Sequence, residues 1–200
     1  MRNQKISENI SEKIVFGSRV DSLSVFRRNL VQGNHEDFLN SVQKDEYIEP
    51  HKEGDVPFSE ADFNEASRKL YNLLSSYKAW REKAEDLWED KGIEIEEELT
   101  EHIEPRKLYF LQELRNYLNH KGEIHCMFAI NDEELRVQIG KNATLNLDFQ
   151  ERAGAGSKIE QGFEYYKEQR YKMDLKEDIS ELIEAVKEVD QKLSRKSSEY

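Results

Sequence analysis

The chain has 200 residues and a formal net charge of −12, and 36% of its residues are charged while 36% are hydrophobic. This size predicts a single domain, and such a polar average, with only three prolines and nine glycines, favours long helices with narrow apolar stripes. The lack of any run of about 18 apolar residues, the lack of a visible secretory signal and the single cysteine together exclude a membrane span and an internal disulfide, so we expect a cytoplasmic protein.

Residues 1–57 are predicted to form short helices followed by a loop. Apolar residues at helical spacing indicate two short helices, near Ile6–Ile14 and Val25–Leu30, and a third short turn at Phe38–Val42. The segment Asp45–Pro57 has two prolines, a glycine and few apolar side chains, so we expect a loop there. The main helical domain is then expected to span residues 58–195, and 196–200 to form a frayed tail.

A sustained apolar stripe predicts a long helix over residues 59–91, with Ser59 as its N-cap and an end near Gly92. The stripe advances by alternating steps of three and four residues through Phe63, Ala66, Leu70, Leu73, Tyr77, Trp80, Ala84 and Leu87. Such a helix is either a dimerising coiled coil or one arm of an antiparallel helical hairpin, and its length favours the hairpin. The second arm is predicted over residues 96–121, where Pro105 either starts the helix or kinks it.

The apolar period changes from helical to alternating after Gly122. Three alternating segments, Ile124–Ile130, Leu135–Ile139 and Leu145–Phe149, predict a small antiparallel β-meander inserted at about 123–150. So small a sheet needs a helix to pack on, and we therefore expect an embellishment of a mostly α-helical bundle.

The last part of the chain is predicted to return to helix. A flexible link is expected at Ala153–Ser157, followed by a helix from Lys158 to about Tyr171. Asp174 with Glu177 resembles a capping box that opens a final helix. The apolar face of that helix consists of Leu175, Ile179, Leu182, Val186, Val189 and Leu193.

The end of the second hairpin arm, Leu108–Gly122, carries the most chemically equipped face of the chain. Its apolar arc consists of Leu111, Leu114 and Leu118, widened by Phe110 and Tyr117. A helix that needed only solubility would fill the opposite arc with Glu and Lys. Here that arc is filled with hydrogen-bonding and proton-exchanging groups, namely Tyr109, Gln112, Asn116, Asn119 and His120, with Arg115 at its boundary.

Arg115, Asn116 and His120 suit the cleavage of RNA without a metal. An imidazole can exchange protons with a ribose hydroxyl, and a guanidinium can hold a phosphate and stabilise its developing charge. Asn116 and His120 are four residues apart, so their side chains share one helix face. The competing interpretation is a hydrophilic helix end, in which Arg115 pairs with Glu113 or Glu123 and His120 caps carbonyl groups.

Other combinations of residues predict no metal site and no cofactor. His120, His125 and Cys126 have no fourth ligand at a spacing typical of zinc. The glycines of Gly154–Gly156 follow no buried strand, so they form no phosphate-binding fingerprint.

Charge is distributed unevenly along the chain. Residues 81–104 contain eleven acids and three bases, a local net charge of −8. This acidity argues against an extended nucleic-acid groove, whereas the basic balance of 105–125 allows a small basic site near Arg115. The acidic stretch also allows a third interpretation, an antitoxin or immunity protein that mimics nucleic acid and binds a basic partner.

The segment L-R-N-Y-L-N-H, residues 114–120, resembles the R-(N/D/H)-x3–5-H signature of HEPN domains. The preceding L-Y-N-L-L-S-S-Y and W-R-E-K-A-E segments are similar to the helix before this signature in bacterial HEPN-like proteins. Members of that superfamily are small, helical and often dimeric, and many are metal-independent ribonucleases of toxin–antitoxin, CRISPR-associated and phage-defence systems. One toxin subgroup has a tyrosine where Gly122 stands, so modification of such a tyrosine is not expected.

The resemblance implies a metal-independent endoribonuclease in which Arg115 and His120 are the catalytic pair and Asn116 assists them. Tyr109, Gln112, Asn119 and Lys121 are the expected substrate-binding residues. A homodimer through this helix would place two histidines and two arginines around one phosphate, and RNA and an antitoxin or defence partner are the expected partners. The alternative is a non-catalytic HEPN-like regulatory protein that binds a protein or nucleotide partner.

Overall fold

The computed structural model describes residues 2–42, 60–121, 126–131, 134–139, 143–169 and 173–197, and it confirms a mostly α-helical bundle. None of the described helices is both long enough and apolar enough to cross a membrane. The helices are α1 (Arg2–Phe26), α2 (Gly33–Val42), α3 (Glu60–Trp88), α4 (Ile95–Thr100), α5 (Pro105–Lys121), α6 (Ala143–Arg152), α7 (Lys158–Gln169) and α8 (Leu175–Lys196).

The N-terminal segment forms one continuous helical run, where the sequence predicts two short helices and a third short turn. A π-helical turn, Arg27–Gln32, joins α1 directly to α2. The segment contains no proline, and Gly33 keeps a right-handed helical conformation with φ −62°. The π-turn places Arg27 and Val31 in the interior, where tertiary contacts support a helix whose own apolar stripe is weak. The predicted loop Asp45–Pro57 and the predicted cap Ser59 lie outside the described residues.

Helix α3 is the central element of the bundle, and its predicted stripe is confirmed. Every stripe residue from Ala66 to Leu87 is buried, and the side chain of Phe63 lies outside the described residues. A 3₁₀ turn, Glu89–Lys91, follows the helix. Gly92 then takes the left-handed conformation with φ 67°, which a glycine adopts without steric cost and which ends the helix as predicted.

Helices α3 and α5 run antiparallel. The Tyr71 hydroxyl contacts Asn119 at 3.2 Å, and the Tyr77 hydroxyl contacts Gln112 at 3.5 Å. The later residue of α3 thus contacts the earlier residue of α5, as antiparallel helices require. The second arm is shorter than predicted because Pro105 starts α5, while the residues before it form the separate helix α4. A proline lacks the amide hydrogen that an interior helical position requires, so the first turn suits it. Gly122 lies outside the described residues.

The structure does not support the three-stranded meander. Residues Cys126–Asn131 (β1) pair with Glu134–Ile139 (β2) as a two-stranded antiparallel hairpin, and the third predicted strand is helix α6. Leu145 and Phe149 are four residues apart and both buried, while Leu147 between them is 56% exposed. Their spacing fits a helix face as well as a strand face, and the stacking of Phe149 on Phe163 of α7 selects the helix.

Helix α8 closes the bundle, and its predicted apolar face is buried throughout. The Asp174 side chain caps it by accepting from the backbone N–H of Lys176 at 3.1 Å, and it also accepts from Val137 N–H of β2 at 3.2 Å. On α5, Lys107 Nζ lies 2.9 Å from Asp178 Oδ1 on α8. These polar contacts fix α5 and the hairpin against α8.

Helix α7 packs directly on the backbone of α5. A Cβ added at Gly162 would lie 2.7 Å from the Phe110 backbone nitrogen and 2.9 Å from the Tyr109 carbonyl carbon. The ring of Phe110 stacks on Tyr166 with centroids 5.7 Å apart. Only glycine permits the backbones of α7 and α5 to approach so closely. This packing holds α5, the helix that carries Arg115 and His120, in place.

Replacing Gly162 by alanine is therefore expected to lower the free energy of unfolding by about 1–3 kcal/mol, because two backbones must separate. The control is Gly17→Ala in α1, where an added Cβ meets nothing within 4 Å. Alanine favours a helix over glycine by about 1 kcal/mol, so this control should stabilise the protein. Urea unfolding followed by circular dichroism measures both, and equal effects of the two substitutions would contradict the packing argument.

Candidate functional site

Arg115, Asn116 and Gln112 line a cleft between α3 and α5, which we call the α3–α5 cleft. It has a volume of about 290 Å³, and α3 contributes Tyr77, Lys78, Arg81 and Glu85 to its wall. Arg115 and Asn116 are half-buried there. Three of the predicted site residues thus share one concave surface, at the point where the two long antiparallel helices face each other.

A chain of hydrogen bonds positions Asn116 and leaves Arg115 without a carboxylate. Arg115 Nη1 donates to Asn116 Oδ1 at 3.5 Å, and Asn116 Nδ2 donates to Glu113 Oε1 at 3.1 Å. The other oxygen of Glu113 accepts from Arg152 Nη1 at 2.6 Å. Arg115 makes no ion pair with any described residue, and its Nε is buried without a hydrogen-bond partner. The guanidinium therefore keeps donor capacity that no described carboxylate takes up.

His120 and Asn119 lie beyond the α3–α5 cleft, on the exposed end of α5. His120 follows Asn116 by four residues, about 6 Å along the helix axis. Its ring makes no hydrogen bond within the described part of the chain. Asn119 Oδ1 accepts from the Tyr71 hydroxyl at 3.2 Å, so Asn119 contacts α3 instead of the cleft. One chain alone thus places the imidazole beside, and not inside, the cleft that holds the guanidinium.

The remaining predicted binding residues, Gln112, Tyr109 and Lys121, do not lie together in one cleft. Gln112 Nε2 donates to the Tyr77 hydroxyl at 3.5 Å within the α3–α5 cleft. Burial raises the pKa of Tyr77, so its phenol stays neutral. Tyr109 lies in another cleft, with Lys158 Nζ 5.6 Å from the centre of its ring. Lys121 is the last residue of α5, and its side chain lies outside the described residues.

Residues of α3 that face this cleft were not predicted as site residues. Arg81 lies on its wall, where it contacts Glu85 at 2.6 Å and Glu96 at 2.9 Å and is thus already paired. Tyr77 was assigned to the apolar stripe, and its ring is buried while its hydroxyl meets Gln112. The only sequence signal is the four-residue spacing of Tyr77 and Arg81, and that spacing does not reveal which helix they face.

The acidic stretch of residues 81–104 forms the wall of a second, larger opening, which we call the acidic cleft. Its volume is about 790 Å³, and its lining includes Tyr109 and Lys158. Four carboxylates on its wall make no ion pair with any described residue: Asp86, Glu89, Glu94 and Glu97. Six of the eleven acids of this stretch pair with described cations, so its uncompensated charge lies mainly on the wall of the acidic cleft.

Within the described ranges, no group of three or more His, Cys, Asp or Glu side chains could hold a metal ion. The combination of His120, His125 and Cys126, for which the sequence predicts no metal site, cannot be placed, because His125 lies outside these ranges. Comparison of the chain with protein-family models, with curated proteins and with solved structures yields no match.

Proposed function

We propose that this chain is a metal-independent endoribonuclease of the HEPN type. The proposal rests on the surroundings of Arg115 on α5. Arg115 has no carboxylate partner among the described residues, although Glu113 is only two positions away. Arg152 holds Glu113 instead, at 2.6 Å. The exposed ring of His120 lies on the same helix face as Asn116. This arrangement supports a reactive helix end over an internally paired one.

The proposed reaction is an internal transfer within RNA. The ribose 2′-oxygen attacks the adjacent phosphorus, and the bond from phosphorus to the 5′-oxygen breaks. A neutral imidazole takes the proton of the 2′-hydroxyl, and an imidazolium gives a proton to the leaving 5′-oxygen. Arg115 stabilises the negative charge on the phosphoryl oxygens. The products are a 2′,3′-cyclic phosphate and a 5′-hydroxyl end, and no metal or cofactor is consumed.

The reaction needs a base and an acid, and α5 supplies one histidine at its end. A two-fold homodimer through α5 would bring two copies of His120 and Arg115 to one phosphate. The position of His120 beside the α3–α5 cleft supports this arrangement, because the partner's histidine would supply the group that one chain lacks inside the cleft. We propose a role in defence, in a toxin–antitoxin pair or in a stress response, with an antitoxin or defence protein as the further partner.

One observation favours the alternative class, a non-catalytic interaction protein. The acidic cleft repels phosphates and would attract a basic protein surface. If this alternative holds, Glu94→Lys with Glu97→Lys should abolish salt-sensitive binding of an oligolysine peptide, and His120→Ala should change no function. The nuclease proposal predicts the opposite result: His120→Ala should abolish function, and Glu94→Lys with Glu97→Lys should not.

The test is cleavage of a structured RNA by the purified protein in excess EDTA. We expect cleavage that leaves 2′,3′-cyclic phosphate ends, and we expect Arg115→Ala to slow it by about 10²-fold, because transition-state charge loses its donor. Arg68→Ala is the matched control, since Arg68 is an exposed arginine of α3 that pairs with Glu65 at 2.7 Å. No cleavage at concentrations where the protein is dimeric would contradict the proposal, as would equal loss in both variants.

A further inference from the structure

A third cleft lies between α1 and α3, and the proposed ribonuclease does not use it. Its volume is about 460 Å³, within the usual range for small-molecule sites. Phe26 and the nearly buried Leu23 and Leu87 contribute apolar surface to it. The contributing positions are 18, 19, 22, 23 and 26 on α1 and 83, 86 and 87 on α3, so one face of each helix forms the walls.

Two cations of this cleft are not neutralised. Arg19 and Lys83 both line it, and neither makes an ion pair with any described residue. By contrast, the cations that α3 contributes to the neighbouring α3–α5 cleft are paired, Lys78 with Glu82 at 3.4 Å and Arg81 with Glu85. Both cations are exposed at the rim of the cleft, next to its buried apolar residues Leu23 and Leu87. The cleft therefore offers positive charge and apolar surface side by side.

The polar groups of the cleft limit what that group can be. Lys83 Nζ lies 5.5 Å from the centre of the Phe26 ring, which holds the ammonium beside apolar surface. The Ser22 hydroxyl donates to the Ser18 carbonyl at 2.8 Å, whereas the Ser18 hydroxyl has no hydrogen-bond partner among the described residues and can donate. Asp86 on the same wall would repel a second negative charge.

We infer that the cleft between α1 and α3 binds a small amphipathic anion, that is, one carboxylate, phosphate or sulfonate group joined to an apolar body. Arg19, Lys83 and the Ser18 hydroxyl bind the anionic group, and Leu23, Phe26 and Leu87 cover the apolar body. A nucleic-acid backbone is excluded from this site, because it needs an extended basic surface and would meet Asp86. The inference does not depend on the ribonuclease proposal.

The probe is 8-anilinonaphthalene-1-sulfonate, an aromatic monoanion whose fluorescence rises in apolar surroundings. We expect saturable binding of one probe per chain at physiological salt. Lys83→Glu should weaken it about tenfold, because attraction becomes repulsion, and Asp86→Asn should strengthen it about threefold. The control Arg28→Glu changes the net charge by the same amount at an exposed position outside the cleft, and it should leave binding unchanged.

Competition then identifies the chemistry of the bound group. Displacement of the probe by dodecanoate indicates an aliphatic carboxylate, and displacement by phenyl phosphate indicates an aromatic phosphate. Displacement by neither would overturn the inference. So would probe binding that is not saturable, or that Lys83→Glu and Arg28→Glu weaken equally. Thermal unfolding of each variant, compared with wild type, checks that the fold is retained.

Discussion

Replacing His120 by alanine is expected to slow RNA cleavage by about 10²- to 10⁴-fold, the usual contribution of a general acid or base. His120 is the one histidine on the described part of α5, and histidine is the side chain most often used for proton transfer in catalysis. In the proposed dimer the substitution removes both copies of His120, so both the general base and the general acid are lost. Because His120 is exposed, the unfolding free energy should change by less than about 0.5 kcal/mol.

The matched control is His102→Ala. His102 is also exposed and lies in the turn between α4 and α5, away from the α3–α5 cleft. Initial rates on one RNA substrate in excess EDTA, with the unfolding curve of each protein, give the comparison. A rate lost in the His120 variant and kept in the His102 variant supports the site. Equal cleavage by wild type and the His120 variant would identify a contaminating nuclease, and the proposed role of His120 would be abandoned.

Replacing Asp190 by alanine is expected to lower the free energy of unfolding by about 3–5 kcal/mol, since it leaves a buried cation without a partner. Arg27 Nε lies 3.0 Å from Asp190 Oδ2, and only 10% and 5% of these two side chains are exposed. The pair joins the π-turn to α8, so the loss should loosen the N-terminal helices first. Urea unfolding followed by circular dichroism measures the change.

Two further variants distinguish the destabilisation caused by an unpaired buried charge from the net contribution of the ion pair to the free energy of unfolding. Arg27→Met together with Asp190→Leu should recover most of the lost stability, because no buried charge remains. Glu184→Ala removes an exposed partner of Lys187 on the same helix, where the ions are 2.9 Å apart, and should cost less than about 1 kcal/mol. A cost as small for Asp190→Ala as for Glu184→Ala would contradict the assignment of a buried pair.

The sequence alone determined the elements whose periodicity is long and consistent. The α3 stripe and the apolar face of α8 were predicted residue by residue, because a helix that buries one face must repeat its apolar side chains every three or four positions. Short segments carry less information. Leu145 and Phe149 fit a strand or a helix, and the tertiary contact of Phe149 with Phe163 of α7 favours the helix.

The site divides in the same way. The order of residues along one helix determined that Asn116 and His120 share a face and that Arg115 lies beside them, because helical geometry is local. Only the tertiary structure decided that Arg152 takes Glu113 away from Arg115, and that Tyr77 meets Gln112. These contacts join residues 39 and 35 positions apart, and no spacing rule reaches that far. Local geometry thus determined which groups the helix offers, and packing decided which of them remain unpaired.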